Sequence, residues 1–469
     1  MRRRDALRLT APSTRDAFEL GSPHGRAEGR PVSPSTDTST FALRARWVIP
    51  VASPPIAGGV VTVRDGRILS VERNAVDRPA SRTFDLGDAA LLPGFVNAHT
   101  HLEFSDLAAP LGEPGMAICD WIPRVVAERR RPERDSDAAV RAGIQESVRS
   151  GVTAIGEIAQ PNWSAPAIES LPLAVNVYLE LIGTGPQRAH ELCAMADQHL
   201  RRTAPPDARW TPGISPHAPY SVDRAVVERL RDMPLAMHIA ESRDELELLA
   251  TASGPMRDML AALGAWREGT FGGLSPADYI RSIVADASTS GFATAASAKA
   301  SRTSAPALVV HGNYLDAESL DVLAASQRPV FVVYCPRTHF FFRHEPYPLA
   351  ELRRRRIAVA IGTDSRASNP DLSVLAELRF LAATFPDVPP AEVLRMGTLA
   401  GAAALGRSDE CGSIEPGKAA DLAAIRLDAA DKLTPYEQVL HGVGDVLATI
   451  AAGRAVYDPL GLIAAEPIH

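Results

Sequence analysis

The stretch FVNAHTHLEF, residues 95–104, decides the fold of this 469-residue chain. Its mostly apolar first half predicts a buried strand that starts directly after a Pro93-Gly94 turn. His99 and His101 are separated by one residue. Side chains two residues apart on a strand point to the same side, so both imidazoles can reach one metal ion at the strand's end.

Short apolar runs alternate with amphipathic stretches beyond this strand, a pattern typical of parallel βα units. Helices are predicted over 136–149, with a Ser/Asp cap, and over 221–232, where Ser221 and Asp223 resemble a capping box. Strands are predicted near residues 94–98, 152–157, 174–181, 211–216, 235–240, 307–311, 329–334 and 357–362. The pattern predicts an α/β fold with a closed (β/α)₈ TIM-like barrel. An open doubly wound sheet is the alternative, but no glycine-rich nucleotide loop follows the first strand.

Both flanks of the barrel contain short strands separated by glycine turns. FALRARWVIPV and GGVVTVRDGRILSVER precede the barrel, and GSIEPGKAADLAAIRL and VLATIAAGRAVYD follow it. They predict one small β-sandwich built from residues 41–92 and 408–460 around a barrel at 93–407. Residues 1–40 are predicted to be a disordered extension. In residues 285–305, 16 of 21 are Ala, Ser or Thr, which predicts a flexible surface insertion.

Composition describes an ordinary soluble globular protein. The net charge of −7 gives no reason to expect nucleic acid or a membrane as partner, so a small molecule is expected. The four cysteines form no CxxC pair, which suits a reducing compartment. No apolar run is long enough to span a bilayer, and the basic start lacks the apolar segment of a signal peptide. We therefore expect a cytoplasmic protein; its oligomeric state, a homodimer included, stays open.

Histidines collect at the predicted strand ends. A lone histidine there is more often a core residue with satisfied hydrogen bonds, but convergence on one rim favours a site. In such barrels the active site lies at the carboxyl ends of the strands. Five of the twelve histidines lie at or just beyond these ends: His99, His101, His217, His238 and His311.

Five motifs occur in barrel order, and together they resemble the amidohydrolase superfamily. They are HTH at 99–101, SPHAPYS at 215–221, HIAE at 238–241, VVHGNYL at 309–315 and IGTDS at 361–365. The similarity is to the deaminase and chlorohydrolase branch and spans roughly residues 41–457. It implies a divalent metal ion, Zn²⁺ first and Fe²⁺ as the alternative, with these ligands: His99, His101, His238 and Asp364.

The resemblance also implies a catalytic role for Asp364, Glu241 and His311. Three imidazoles and a carboxylate leave a coordination position for water, whose pKa the metal lowers to about 7. Asp364 would take a proton from this water and His311 would help to polarise it. Glu241 would carry a proton to the substrate ring and to the leaving group. A solvated charge at the start of a helix is the alternative interpretation of Glu241.

The metal count follows from the scarcity of lysine. Superfamily members with two metal ions commonly bridge them with a carboxylated lysine at the end of the fourth strand. None of the three lysines, Lys299, Lys418 and Lys432, lies there, and His217 occupies that place. We therefore expect one metal ion per chain, which disfavours dihydroorotase-like, hydantoinase-like and urease-like chemistry.

The expected reaction is hydrolytic deamination of an aminopurine nucleoside, in which metal-bound hydroxide attacks and ammonia is released. HTHLEFSDL and ICDWIPRVVAERR are similar to deaminases of aminodeoxyfutalosine and to those of methylthioadenosine or S-adenosylhomocysteine. After the seventh strand, YCPRTHFFF at 334–342 departs from the Asn-Pro-x-Ser-Asn motif of the latter group. This departure weakens the methylthioadenosine and S-adenosylhomocysteine interpretation.

The four main candidate substrate contacts are His217, Ser365, Arg337 and Trp121; Arg366 and phenylalanines 340–342 are considered beside them. By analogy with the family, His217 would contact the ring or the ribose of the substrate. Ser365, the residue after Asp364, is also a candidate substrate contact. Arg337, with Arg366, would bind an anionic group such as a benzoate, although a solvated loop charge is an equal alternative. Trp121 and phenylalanines 340–342 would either stack on an aromatic ring or pack beneath a lid.

Other functions are compatible with the same motifs. Within the branch these are triazine dechlorination, guanine or cytosine deamination, and an imidazolonepropionase-like ring opening. A catalytically silent barrel scaffold is the alternative from another class, but such scaffolds tend to lose ligands, and every ligand is present here. A metal-storage protein fits poorly, because its histidines should cluster in a surface tract.

Overall fold

The computed structural model describes residues 40–73, 82–285, 305–428 and 432–463. The predicted extension and the predicted Ala/Ser/Thr-rich insertion lie outside these residues, apart from their last or boundary positions. None of the helices in the described part of the chain is both long enough and apolar enough to cross a membrane.

The described residues contain strands in two flanks and a central series. The strands are β1 (Thr40–Arg44), β2 (Trp47–Val48), β3 (Ile56–Ala57), β4 (Gly59–Arg64), β5 (Arg67–Arg73), β6 (Arg82–Asp85), β7 (Ala89–Pro93), β8 (Phe95–Thr100), β9 (Val152–Ala159), β10 (Ala174–Leu181), β11 (Trp210–Pro216), β12 (Leu235–Ile239), β13 (Ala307–His311), β14 (Val330–Tyr334), β15 (Ala358–Ile361), β16 (Leu422–Arg426), β17 (Val446–Ala451) and β18 (Arg454–Tyr457).

Helices connect most of the central strands. They are α1 (Ile118–Arg129), α2 (Ser136–Arg149), α3 (Ala165–Ile168), α4 (Pro186–Leu200), α5 (Arg224–Leu230), α6 (Arg243–Thr251), α7 (Pro255–Ala262), α8 (Pro276–Val284), α9 (Ala317–Ala325), α10 (Pro336–Phe341), α11 (Leu349–Arg354), α12 (Val374–Thr384), α13 (Pro390–Met396), α14 (Leu399–Ala404) and α15 (Pro435–His441).

The central strands β8 to β15 form one parallel sheet in sequential order. The sheet closes where Thr100, at the end of β8, pairs with Asp364, just beyond β15. The amides of Thr363 and Asp364 both donate to the His99 carbonyl, each over 3.1 Å. The predicted (β/α)₈ barrel is therefore confirmed, with each of its eight strands close to the predicted place.

Closure depends on a glycine. A Cβ at Gly362 would lie 2.9 Å from both Cβ and the carbonyl oxygen of His99. Only a residue without a side chain lets the eighth strand approach the first this closely. The glycine of the IGTDS motif thus brings Asp364 beside His99.

Both flanks build a sandwich, as predicted. One sheet has the order β5-β4-β1-β6, and the other has the order β18-β17-β16-β7-β2-β3. The second sheet joins the two ends of the chain, because β7 pairs antiparallel with β16. Buried side chains between the sheets include Leu43, Val61, Leu91, Leu422 and Ile450. A division into domains at residues 92/93 and 407/408 stays a prediction.

The two predicted helices differ in outcome. Helix α2 occupies the predicted residues, with the Asp135 carboxylate capping it through the Ala138 amide. Helix α5 begins at Arg224, and the predicted capping role of Ser221 is wrong, because its hydroxyl closes a turn on the Ala218 carbonyl instead. Asp223 does not cap the helix with its side chain; its carboxylate accepts from the Gly185 amide over 2.7 Å.

Candidate metal centre and active site

Three buried histidines converge at the carboxyl end of the barrel. Ligand nitrogens of His99 and His101, from β8, and of His238, from β12, all lie within 4.8 Å of one another. Burial lowers the pKa of His101 and His238, which keeps both rings neutral, the form that binds a metal. Neither ring nitrogen of His99 has a hydrogen-bond partner. Buried, unpaired imidazole nitrogens are costly, and a cation between the three rings would satisfy them.

A carboxylate completes this cluster. Asp364 Oδ1 lies 3.6 Å from His99 Nε2 and 3.9 Å from His101 Nε2. The Ser368 hydroxyl donates to the other oxygen, Oδ2, over 2.7 Å, which fixes the carboxylate's orientation. Burial raises the pKa of Asp364, but the neighbouring imidazoles, including His311, outweigh it and leave the pKa below its usual value. Three imidazoles and an ionised carboxylate make a donor set that suits Zn²⁺ or Fe²⁺.

A backbone carbonyl orients the third histidine. The carbonyl of His217 lies 2.9 Å from Nδ1 of His238. A proton on Nδ1 donates to this oxygen, so Nε2 keeps its lone pair for the cluster.

Two further titratable groups, Glu241 and His311, lie beside the cluster. His311 Nε2 is 3.4 Å from Glu241 Oε1. Burial, with the charges of Asp364 and Glu245, raises the pKa of Glu241 well above its ordinary value. Burial lowers the pKa of His311 to about 3. The two side chains thus form a buried pair suited to holding and moving a proton.

Strained backbone carries several of these groups. Ala240, His311 and Asp364 have φ values of 55°, 67° and 56°, in the left-handed region that non-glycine residues rarely adopt. Each costs on the order of 1–3 kcal/mol, so the surroundings must stabilise it. The Glu245 carboxylate does so after β12, where it accepts from the amides of Ala240 (2.9 Å) and Glu241 (2.8 Å).

One cavity of about 500 Å³ opens above these groups. His101, His238, Glu241, His311 and Asp364 form its floor. Apolar residues of α1, α7 and the turn after α7 line the wall: Ile118, Trp121, Ile122, Val125, Val126, Met259, Leu260 and Leu263. An apolar wall with a few convergent polar groups is typical of a small-molecule site.

Comparison with known proteins agrees with this arrangement. The sequence profile described as the amidohydrolase family matches residues 90–456. The chain belongs to the amidohydrolase family. It is therefore a hydrolase that acts on carbon–nitrogen bonds.

Three individual relatives share between 26% and 28% of their residues with this chain. The chain is 26% identical over 409 residues to the 5-methylthioadenosine/S-adenosylhomocysteine deaminase of Moorella thermoacetica, covering 83% of this chain and 86% of that protein. It is 28% identical over 332 residues to the aminodeoxyfutalosine deaminase of Deinococcus radiodurans, covering 68% and 74%. A crystal structure of an adenosine deaminase from Xanthomonas campestris with bound zinc superposes with a TM-score of 0.70 at 26% identity, covering 90% and 96%.

Three of the four predicted substrate contacts line the cavity of this amidohydrolase: His217, Trp121 and Ser365. Trp121 also packs edge-on against Phe342, with ring centroids 5.2 Å apart, and its indole N–H donates to the Ala367 carbonyl. It is therefore a packed residue with one face on the cavity. Phenylalanines 340–342 are not among the described residues that line the cavity.

The position of Arg337 does not support the predicted binding of an anionic group. Its guanidinium donates to the Asp371 carboxylate over 2.6 and 2.9 Å and to Glu377 over 2.6 Å. It is also absent from the described residues that line the cavity. Arg366 is similarly engaged, with Glu146 at 2.8 Å. Carboxylates distant in sequence neutralise both arginines. The two side chains therefore connect elements of the amidohydrolase fold.

Sequence reasoning missed Glu180, a buried carboxylate at the end of β10. Its Oε1 accepts from Arg129 Nη2 over 2.9 Å, and its Oε2 accepts from Gln160 over 2.6 Å. His217 Nδ1 lies 3.0 Å from Oε1, within ion-pair distance but at an angle outside that of a hydrogen bond. Arg129 and His217 both line the cavity, so Glu180 supports two of its walls from behind. An acidic residue inside the apolar run 174–181 was the available signal.

Proposed function

We propose that this amidohydrolase is a metal-dependent deaminase that removes the amino group of an adenosine-type nucleoside. One observation carries the proposal: the proton-handling groups Glu241, His311 and Asp364 face the same cavity, directly beside the three-histidine cluster. Relatives named as deaminases of methylthioadenosine, S-adenosylhomocysteine and aminodeoxyfutalosine support this choice of substrate class.

The metal is proposed to be a single zinc ion held by His99, His101, His238 and Asp364. Once bound, it would supply a Lewis acid that makes water a nucleophile near neutral pH. The zinc of the Xanthomonas campestris enzyme supports this identity. The absence of a lysine after β11 supports a single ion, because His217 follows Pro216 there.

The chain's own residues account for the proton movements. Asp364 accepts a proton from the attacking water, and His311 orients that water. Glu241, held protonated by its buried position, gives a proton to the ring nitrogen next to the reacting carbon. Asp364 then returns the water's proton to Glu241, which passes it to the amino group. The C–N bond breaks and ammonia leaves, and the oxygen of the new C–O bond gives its remaining proton to Glu241, so that both carboxyl groups end as they began.

The cavity wall accounts for binding of the nucleoside. The apolar residues of α1 and α7 can cover the faces of a purine and its ribose, while His217 and Ser365 offer polar contacts beside the floor. The dry wall also excludes bulk water from the reacting carbon, which strengthens the electrostatic interactions at the floor.

Ammonia release from zinc-loaded protein tests the proposal. The substrates are adenosine, methylthioadenosine, S-adenosylhomocysteine and aminodeoxyfutalosine, with guanine, cytosine and a chlorotriazine as comparison compounds. We expect ammonia from at least one adenine nucleoside and a strong preference for it over the comparison compounds. Release of chloride alone, or no product from any compound with zinc bound, would contradict the proposal.

A further inference from the structure

Two arginines, Arg188 and Arg267, stand at the mouth of the cavity, at its exposed end. The cavity floor is buried, whereas the Arg188 side chain is 39% exposed and Arg267 is exposed. The mouth of the cavity therefore carries two guanidinium groups, of which that of Arg188 is paired with Glu191, and an apolar wall separates them from the polar floor.

Arg188, in the first turn of α4, is held in place by the preceding loop and by its own helix. Its Nε and Nη2 both donate to the Ile182 carbonyl over 3.1 Å, and its Nη1 donates to Glu191 over 3.1 Å. Its stem crosses Gly183, where a Cβ would lie 2.4 Å from Arg188 Cγ. Gly183 has a φ of +137°, so both the backbone and the arginine require glycine there.

Arg267, from the segment between α7 and α8, covers a second glycine of this loop, Gly185, two residues after Gly183. A Cβ at Gly185 would lie 2.4 Å from Arg267 Cζ, and Gly185 has a φ of +97°. The guanidinium therefore lies against bare backbone, where any side chain would displace it.

The charge of Arg267 is not neutralised within the described part of the chain. No hydrogen bond or ion pair joins its guanidinium to another described residue. Two nearby carboxylates are engaged elsewhere, since Asp223 accepts from the Gly185 amide and Glu268 accepts from the indole of Trp266. An exposed arginine is usually a solvated charge, but the guanidinium of this one lies against Gly185 in the lining of the active-site cavity.

We propose that Arg267 binds an anionic group at the end of the substrate remote from its amino group. A guanidinium binds carboxylate or phosphate through paired, charge-assisted hydrogen bonds. The apolar wall formed by Val125, Leu260 and Leu263 favours an uncharged linker between the nucleoside and this anion. Arg267 thus sets the preference for acidic over neutral nucleosides. The inference rests on the proposed function.

Matched substrates test the inference. An adenosine carrying a 5′-thioalkyl carboxylate is compared with its methyl ester, which differs only in the charge, and adenosine 5′-monophosphate gives the phosphate arm. In Arg267→Gln we expect the ratio of kcat/KM for acid over ester to fall about tenfold, mainly through KM, the size of a partly exposed charge-assisted contact. A fall for the carboxylate alone, or for the phosphate alone, identifies which anion is bound.

Two further variants test whether the effect comes from the position of the Arg267 guanidinium. Gly185→Ala should lower the same ratio, because the new methyl group displaces the guanidinium. Arg257→Gln is the control, since this partly exposed arginine of α7 pairs with Asp258 and is not among the described residues that line the cavity. Its ratio should equal that of wild type.

Two negative outcomes are separable. An unchanged acid-to-ester ratio in Arg267→Gln would overturn the anion site and leave the deaminase intact. No ammonia from any nucleoside with zinc-loaded wild type would overturn both.

Discussion

The floor and the mouth of the cavity are built on different principles. Floor residues lie at strand ends, are buried, and include left-handed backbone at His311 and Asp364. Mouth residues come from helices and loops; Arg267 is exposed there and Arg188 is partly exposed. A barrel brings its strand ends to one rim by construction, whereas loop residues are positioned only by their individual contacts. The difference separates the chemistry, fixed by the fold, from substrate choice, which local sequence sets.

Loss of a floor ligand should have the largest effect. In His238→Ala we expect zinc content to fall far below one per chain and kcat/KM to fall by at least about 10³-fold, because the metal supplies several kcal/mol of transition-state stabilisation. Metal analysis and ammonia release measure both. His190→Ala, on the exposed face of α4, is the control. Full zinc content in His238→Ala would remove this residue from the metal site.

Glu241 should matter for chemistry alone. In Glu241→Gln we expect kcat to fall by about 10²- to 10⁴-fold while zinc content stays near one, since the amide cannot transfer the proton. Steady-state kinetics beside metal analysis separate the two effects. Glu247→Gln, an exposed position of α6, should behave as wild type. Near-wild-type kcat in Glu241→Gln would mean that another group moves the proton.

Arg337 should affect stability rather than recognition. Arg337→Met leaves the fully buried Glu377 carboxylate without its charged partner, so we expect a loss of about 3 kcal/mol in the free energy of unfolding. Urea unfolding measures it, with Arg243→Met, which breaks an exposed pair with Glu345, expected to lose less than about 1 kcal/mol. Unchanged stability with a raised KM for acidic nucleosides would restore the predicted binding role.

Glu180 should give the smallest of these effects. Glu180→Gln keeps the shape but weakens the hold on Arg129 and His217, so we expect KM to rise about tenfold with kcat and zinc content little changed. Kinetics and thermal unfolding together decide the outcome. A lower melting temperature with an unchanged KM would make Glu180 a purely structural residue.

The residues of the site differ in how far the sequence alone could predict their positions. The convergence of His99, His101 and His238 on one rim was predictable from strand periodicity and barrel order, whereas Asp364 was identified through the resemblance to the superfamily. Glu180 was missed because its role depends on contacts with Arg129, Gln160 and His217, which come together only in the folded protein.

Arg337 does not line the cavity as predicted, because the sequence does not show which side chains contact it in the folded protein. Arg337 is the second residue of α10, which begins at Pro336 shortly after β14. Its backbone amide and its guanidinium both donate to the carboxylate of Glu377, 40 residues later in the chain. Gly183 and Gly185 likewise acquire meaning only when the arginines that cover them are seen.

The most direct test of the central claim is a titration of metal-free protein with zinc, followed by the rate of ammonia release from the best adenine nucleoside. We expect a linear rise that ends at one zinc ion per chain, with His238→Ala showing no such rise. A plateau at two ions per chain, or no ammonia at any zinc concentration, would contradict it.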